Sequence, residues 1–347
     1  MIKIAIIGKG PWANVLTETY KTIINRRNTS IPEIQLIQHS FEQDIDEIIK
    51  NKEPDIIEIC SPIKTRADFA IKAIKQGINV SIAPPPAITL KEIDALIRIL
   101  KKSSNKRAFR ILNLLDFAFP FLKMVEFVQN KKLGKIITAN IASYSTGDPD
   151  LSLLGTAYSV VDYLVSLLSK IKLVFSWSPI GVKGDFSNKT ELQSIMVPVN
   201  KISHAIWTHQ YGQYEHVQES PFETEFMLNL VNSHSLAFGY GVTGSMFDRS
   251  PLSRAPGIYW CHQDDHEWKS ITQEGLNYKD SLISHTIDFI KSINNGKKRS
   301  LDYDKMRTCL KVVNCIILSL IKNGEPVKID DAPRNMIRVM KDQEVAK

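Results

Sequence analysis

The chain opens on an apolar strand that runs directly into a glycine turn. Ile2–Ile7 carries one polar break, Lys3, and is followed by Gly8-Lys9-Gly10-Pro11-Trp12-Ala13. A strand that does not alternate is buried on both faces, the condition of a parallel sheet covered by helices. Gly8 permits the tight turn, and Gly10 lets the main chain approach a pyrophosphate. The small Ala13 lets the following helix pack closely on the strand, and the helix N-terminus offers amide donors. Read alone, the spacing also fits a purely structural turn. Placed between a buried strand and a helix, it points to a dinucleotide site. Gly8, Gly10, Pro11, Trp12 and Ala13 are therefore the first cofactor-binding candidates.

Strand and helix go on alternating as far as residue 115. Strands are expected at Ile34–Gln38, Asp55–Cys60, Asn79–Ile82 and Phe109–Leu115. Helices are expected from the glycine turn to Ile24, then at Phe41–Lys50, Thr65–Gln76 and Leu90–Lys102. Strands separated by helices build βαβ units and a doubly wound parallel sheet. The end of the second strand reads Leu36-Ile37-Gln38-His39-Ser40, with no carboxylate before Glu42. An acid here holds the adenosine ribose of NAD and repels a 2′-phosphate, so its absence favours NADP over NAD while leaving both open. His39 and Ser40 are the candidates on that side; the plain alternative is a solvent-facing strand end.

After Pro120 the texture changes. A helix at Phe121–Asn130, a strand at Ile136–Tyr144 and a helix at Tyr158–Ser169 lead into strands Leu173–Val182, Ile195–Val199, His204–Tyr214, Glu225–Gly239 and Gly257–Trp260. With no helix between them, these last strands read as antiparallel, hairpin-linked sheet. Helices Asp280–Asn294 and Asp304–Lys322 close the chain. The expected architecture is an α/β Rossmann domain over 1–117, then an α+β domain over 118–347 with a large, mostly antiparallel open sheet. The C-terminal helix, about 304–322, is placed to pack back on the first domain. A length of 347 residues agrees, since single cores stop growing near 250–300 residues.

Composition narrows the class. The chain is 43% hydrophobic and 23% charged, which excludes a disordered chain or a disulfide-stapled module. No apolar run approaches the roughly 18 residues of a membrane span, and the opening run is too short for a secretory signal. A cytoplasmic location is the expectation, with no membrane partner. The net charge of +7 is scattered among acids, with small clusters only at Lys101–Arg107 and Lys297–Arg299, so no nucleic-acid partner is expected. Cys60, Cys261, Cys309 and Cys315 lack paired spacing and read as reduced thiols. The segment Cys261-His262-Gln263-Asp264-Asp265-His266-Glu267 crowds potential ligands onto one short stretch, unlike the separated pairs of a zinc site, so no metal is expected. His204, Trp207, His209, Tyr211, Tyr214 and His216 enrich one strand. One alternate set fits a substrate cleft, the other an oligomer interface, and a homo-oligomer through this sheet is the favoured reading.

Strand Asp55–Cys60 runs into Ser61-Pro62, then a helix, then Gly77-Ile78-Asn79-Val80 and Ala83-Pro84-Pro85-Pro86-Ala87. This order resembles the Gfo/Idh/MocA oxidoreductases, whose "TP" turn is followed by "GkhVxxEKPla". A helix containing Asp162 stands where the family has "DxGxHxxD", and Asn323-Gly324-Glu325-Pro326-Val327 is similar to its "GxPV" tail. The resemblance implies an NAD(P)-dependent enzyme that moves hydride to or from a small substrate, a sugar or sugar nucleotide most commonly. It also implies Ser61, Pro62 and Pro85 at the nicotinamide side. A Pro-Pro bond prefers trans by only about 0.5–1 kcal/mol, so a cis or otherwise extended peptide is expected at Pro84-Pro85.

Two departures bear on chemistry. Pro84 stands where the family has its Lys, and Ser159 where it has its acid/base His. Arg66 stands where many members carry a His. The thiazolinyl imine reductase branch is a partial parallel, since it too lacks the Lys and has Ser-x-x-Asp. However, its His and Tyr positions hold Pro84 and Phe119 here. With both proton-handling groups replaced, Tyr158, one helical turn before Asp162 on the same side, is the nearest titratable substitute. Tyr158 and Asp162 are thus the catalytic candidates, donating a proton as hydride arrives. The bland alternative is that Tyr158 packs and Asp162 bonds backbone. At the level of function, an oxidoreductase with a non-standard donor stands beside a catalytically inactive, dinucleotide-binding sensor or scaffold.

Overall fold

The computed structural model describes all residues except 27–29, 40–44, 104–106, 118–124, 127–137, 146–152, 169, 179–191, 200–203, 212–223, 232–234, 244–256, 263–268, 272–277, 297–300, 337 and 340–347. Elements in chain order begin with β1 (Ile2–Gly8), α1 (Pro11–Asn25), β2 (Ile34–His39), α2 (Ile45–Lys52), β3 (Ile56–Cys60), α3 (Ile63–Lys75), β4 (Asn79–Ile82), α4 (Leu90–Ser103) and β5 (Phe109–Ile111). They continue with β6 (Thr138–Ser145), α5 (Leu153–Leu168), β7 (Ile171–Trp177), β8 (Leu192–Pro198), β9 (His204–Tyr211), β10 (Thr224–Val231), β11 (Ser235–Thr243), β12 (Gly257–His262) and β13 (Lys269–Ile271). Helices α6 (Tyr278–Asn294) and α7 (Tyr303–Ile321) and the short β14 (Val327–Lys328) complete them. The chain divides into two compact units: Met1–Asn113 with Leu282–Leu310 and Arg334–Arg338, and Leu114–Ser281 with Lys311–Pro333 and Val339–Lys347.

In the first unit, five parallel strands run in the order β2-β1-β3-β4-β5. The order in which successive strands are added reverses between β1 and β3, the switch point at which α/β sheets bind ligands beyond the carboxyl ends of their strands. The apolar run explains β1's central place, since Ile4, Ala5, Ile6 and Ile7 are all fully buried. One polar row crosses the sheet: Glu58 pairs in register with Ser81, and Ser81 with Arg110. Tyr20 of α1 donates its hydroxyl to Glu58 Oε1 at 2.5 Å, and Arg110 Nη2 donates to the same oxygen at 2.9 Å. Arg110 Nε donates to Ser81 Oγ at 2.9 Å, and its guanidinium lies over the Phe289 ring of α6 at 4.4 Å. Glu58 Oε2 has no hydrogen-bond partner among the described residues. Burial and the neighbouring carboxylate push the Tyr20 phenol well above its ordinary value.

The second unit holds nine strands in the order β13-β12-β11-β10-β6-β9-β8-β7-β14. All neighbours are antiparallel except β6 and β9, which are parallel, so the sheet is mostly antiparallel, as its sequence pattern implies. Its buried face is stitched by hydroxyls. Trp207 Nε1 donates to Ser143 Oγ at 2.9 Å, Ser176 and Ser194 share a hydrogen bond at 2.8 Å, and Ser176 N–H donates to Ser319 Oγ at 2.8 Å.

Several boundaries differ from the sequence reading. The single strand expected over Glu225–Gly239 is two, β10 and β11, paired antiparallel from Val231↔Leu236 outward. β10 ends at Val231 and β11 begins at Ser235, and the sequence between them, Asn-Ser-His, is of residue types that favour turns over strand interiors. The strand expected at Phe109–Leu115 ends at Ile111, and a 3₁₀ turn takes Leu114–Phe117. Helix α5 begins at Leu153 rather than Tyr158. The helix expected at Phe121–Asn130 lies outside the described residues apart from 125–126.

Candidate cofactor site

The glycine turn has the geometry that a dinucleotide requires. Gly8 has φ +132°, and a Cβ there would sit 2.3 Å from the carbonyl oxygen of Cys60 and 2.9 Å from the Ser61 nitrogen. Only glycine lets β1 and β3 close at this point. Gly10 caps α1 at φ 101° and ψ −175°. A Cβ at Gly10 would meet nothing within 4 Å. The two glycines thus do different work: Gly8 allows chain to meet chain, and Gly10 leaves open space over a helix N-terminus. Pro11 occupies the first turn of α1, which contains no acid to repel an anion, and the first helical bond runs from Asn14 N–H to Gly10 O at 3.0 Å. Trp12 and Ala13 are buried, Ala13 on the packing side expected of it. The open space at Gly10 and the donor end of α1 fit a pyrophosphate.

The neighbouring strand ends converge on this turn. Register places His39, the last residue of β2, opposite Ile7, and Gly8 opposite Cys60. Ser40 lies outside the described residues, and of His39 only the backbone is described. Ser61 is buried, accepts a hydrogen bond from Thr65 Oγ1 at 2.9 Å, and precedes Pro62, the N-cap of α3. Burial pushes the Cys60 thiol far up, with Glu58 adding to the shift, so it is no nucleophile at neutral pH.

The turn after β4 has the peptide geometry expected of its Pro-Pro sequence. Pro84–Pro85 is a cis peptide, and Ala83 through Ala87 are buried. Prolines have no N–H, and the Ala83 N–H is committed to Ile59 O at 3.0 Å. The carbonyl oxygens are held by Arg66. This side chain, buried in the first turn of α3, donates from Nε to Ser61 O at 2.8 Å. From Nη1 it reaches Pro84 O at 2.6 Å, Ala83 O at 3.3 Å and Pro85 O at 3.4 Å. A cation in a helix's first turn opposes the helix dipole by about 0.3–1 kcal/mol. Four main-chain oxygens offset that cost, and each would itself cost about 1–3 kcal/mol if buried without a donor. The turn therefore presents apolar surface and no proton donor of its own. At the adjacent strand end Asn113 is buried, with Oδ1 unpartnered among the described residues. Arg66's contacts with this turn are not legible in the sequence, because they span 17 to 19 positions and need the turn to form first.

The catalytic candidates belong to the second unit. Along α5, Tyr158 is fully buried, Ser159 is buried, and Asp162 is half-buried. Ser159 Oγ donates to Gly155 O at 3.1 Å, which ties its proton to the helix backbone, and Ser166 Oγ donates to Asp162 O at 3.0 Å. Of the aromatic and imidazole strand, Trp207 is fully buried and faces inward, while Tyr214 and His216 lie outside the described residues. The Gln263–Glu267 part of the potential-ligand segment also lies outside them. Among the described residues no helix is long and apolar enough to cross a membrane.

Sheet order, switch-point glycines and strand-end turns together define a nicotinamide-dinucleotide domain of the Rossmann class. Residues 2–109 match the Gfo/Idh/MocA family model, described as "Oxidoreductase family, NAD-binding Rossmann fold". No curated protein matches the sequence. Solved structures match over nearly the whole chain. Levoglucosan dehydrogenase in complex with NADH and L-sorbose is 14% identical, with a TM-score of 0.72, covering 96% of this chain and 99% of that one. The myo-inositol 2-dehydrogenase from Lactobacillus plantarum is 14% identical, with a TM-score of 0.69, covering 94% and 99%. An oxidoreductase from Agrobacterium radiobacter in complex with NAD+, L-tartaric acid and magnesium is 12% identical, with a TM-score of 0.70, covering 95% and 98%. At these identities the likeness is one of fold. The matches bear out the resemblance to the family; the parallel with the thiazolinyl imine reductase branch is not shown by them.

Proposed function

We propose that the chain is an NAD(P)-dependent oxidoreductase that moves hydride to or from a small substrate: a sugar, a sugar nucleotide or a cyclic imine. The observation that carries this reading is the pair of glycines. Gly8 closes the strands and Gly10 leaves room over the N-terminus of α1. In this reading Gly8–Ala13 hold the pyrophosphate and His39 with Ser40 flank the adenosine ribose. Ser61, Pro62 and Pro85 line the nicotinamide side. The lack of a carboxylate along β2 supports NADP over NAD. The cofactor supplies the hydride chemistry, and the chain must supply orientation and a proton. Tyr158 donates that proton and Asp162, one helical turn on, sets its environment. The exposed Trp177 and Ile195 on β7 and β8 support a homo-oligomer through this sheet, and a cytoplasmic location fits the composition.

Calorimetric titration with NADPH and NADH tests binding: micromolar or tighter affinity is expected, and lost in Gly10→Val. A turnover screen over sugars, sugar nucleotides and cyclic imines tests the chemistry. In Tyr158→Phe, turnover should fall on the order of 10²–10⁴-fold with cofactor affinity unchanged; full activity removes Tyr158 from the mechanism.

One observation favours a second reading, a catalytically inactive dinucleotide-binding sensor or scaffold. Pro84 has no proton to give, Ser159 donates to Gly155 O, and Tyr158 is fully buried. A wild-type chain that binds dinucleotide and turns over nothing in that screen supports it.

A further inference from the structure

We infer that Arg66 is a positioning residue for the cofactor, acting through the main chain of the strand-end turns that follow β3 and β4. The inference rests on the dinucleotide reading of the glycine turn. Arg66 lies on α3, the crossover that joins these two neighbouring strands, and its guanidinium holds Ser61 O at one end and Ala83 O, Pro84 O and Pro85 O at the other. Its Nη1 carries two hydrogens against three acceptors, so one hydrogen is shared and the 2.6 Å contact to Pro84 dominates. Two of the residues so held, Ser61 and Pro85, line the nicotinamide side in that reading.

The local chemistry argues for a role beyond filling space. A run of three prolines, Pro84-Pro85-Pro86, cannot fasten itself to the sheet through N–H groups, so its carbonyls are the available polar handles. A single delocalised, permanently charged fork can hold carbonyls from two turns at once, which a Lys ammonium on a flexible stem does less well. A cation placed against the dipole at a helix start breaks a local rule, and such breaks concentrate where a site needs a fixed shape. With Pro84 where the family has its Lys, the side chain of residue 84 has no polar group of its own to fix the turn. Arg66 fixes it from beneath, through the backbone.

The test uses the full chain and three variants: Arg66→Met, which removes the cation at similar length; Arg66→Lys, which keeps the charge but not the fork; and Arg307→Met as a control. Arg307 pairs with Asp94 in the same unit and touches neither turn. Dissociation constants for NADPH and NADH are read by calorimetry, and kcat and KM for any substrate found. Arg66→Met should weaken dinucleotide binding about tenfold or more and lower kcat at saturating cofactor, with Arg66→Lys in between. Arg307→Met should leave both within about twofold, separating position from stability. If Arg66→Met does not fold, Arg66→Lys decides, with an expected loss of about threefold. Wild-type affinity in both Arg66 variants overturns this role alone, as does an equal loss in the control. A wild-type chain that binds neither dinucleotide overturns the functional reading and this role with it.

Discussion

In the unit built on the parallel sheet, the buried polar side chains include charges: Glu58 between Tyr20 and Arg110, and Arg66 against four carbonyls. In the unit built on the mostly antiparallel sheet, those whose contacts are described are uncharged: Ser143 with Trp207, Ser176 with Ser194 and Ser319, Ser159 with its own helix, and Asn314 with the Pro333 carbonyl. A buried charge is tolerated only with partners in fixed positions, whereas a hydroxyl can rotate to find one. The first kind of interior is specified in detail and costly to break. The second is more forgiving.

The largest effect separates the two glycines. Gly8→Val places a side chain within 2.3 Å of a backbone oxygen at φ +132°, so β1 and β3 cannot pair as they do. The loss should be on the order of 4–5 kcal/mol or more, seen as failure to express folded protein or a collapsed Tm. Gly10→Ala meets nothing and carries only the strain of its φ, about 1–2 kcal/mol. It should fold and yet lose dinucleotide affinity. Two glycines that failed in the same way would erase the distinction between closing the fold and admitting a ligand.

This contrast also marks what the sequence could reveal. Main-chain demands leave glycines and prolines at fixed offsets, so the Gly8 turn, the strand–helix alternation and the Pro84–Pro85 turn were legible. Side-chain networks leave no such trace. Glu58 reads as one exception in the apolar IIEIC strand, and its partners Tyr20 and Arg110 lie 38 and 52 positions away. Arg66 differs from the family's His by one letter, but its contact with Pro84 spans 18 positions and needs the turn to exist first. On α5 the helical pattern was plain from Tyr158 onward. That nearly every residue from Gly155 to Val161 is buried depends on what surrounds the helix, not on its period.

The charged interior should respond next most strongly. Glu58→Ala leaves Arg110 without its carboxylate at a site where Glu58 is fully buried and the Arg110 side chain is 14% exposed. Removing one partner of such a pair costs about 3–5 kcal/mol. The double variant Glu58→Leu with Arg110→Met should recover most of that by denaturant unfolding. In the second unit, Ser194→Ala removes one neutral hydrogen bond and should cost about 1 kcal/mol. Equal losses would show that the two interiors are not built differently.

Alkaline pH addresses both interiors together. Burial raises Tyr20 and Cys60 in the first unit, and Tyr163 in the second, and pushes the Cys315 thiol up to about 12. A raised folded-state pKa means that stability is fully present below the unfolded value, 9.0 for a thiol. As pH rises beyond it, the unfolded chain releases protons that the folded chain keeps. Stability then falls by about 1.4 kcal/mol per pH unit for each thiol, joined by the phenols above about pH 10. Tm should be flat from pH 7 to about 8.5 and then drop, less steeply in Cys315→Ala.

The smallest effect belongs to a charge pair in the same unit as Glu58 but near the surface. Arg307 of α7 meets Asp94 of α4 at 2.6 Å and 3.3 Å, a two-pronged contact whose shorter arm is closer than the 2.9 Å of Glu58–Arg110. Distance alone would rank it with Glu58–Arg110. Exposure reverses the ranking, since its side chains are 38% and 41% accessible, and water screens the attraction and solvates either partner left alone. A double-mutant cycle with Arg307→Met and Asp94→Asn should give a coupling below about 1 kcal/mol that shrinks further in high salt. The Tm should move by no more than about 2–4 °C. A coupling of several kcal/mol, insensitive to salt, would mean that this pair sits in a low-dielectric interior after all. Burial would then no longer separate the costly charges of this unit from the cheap ones.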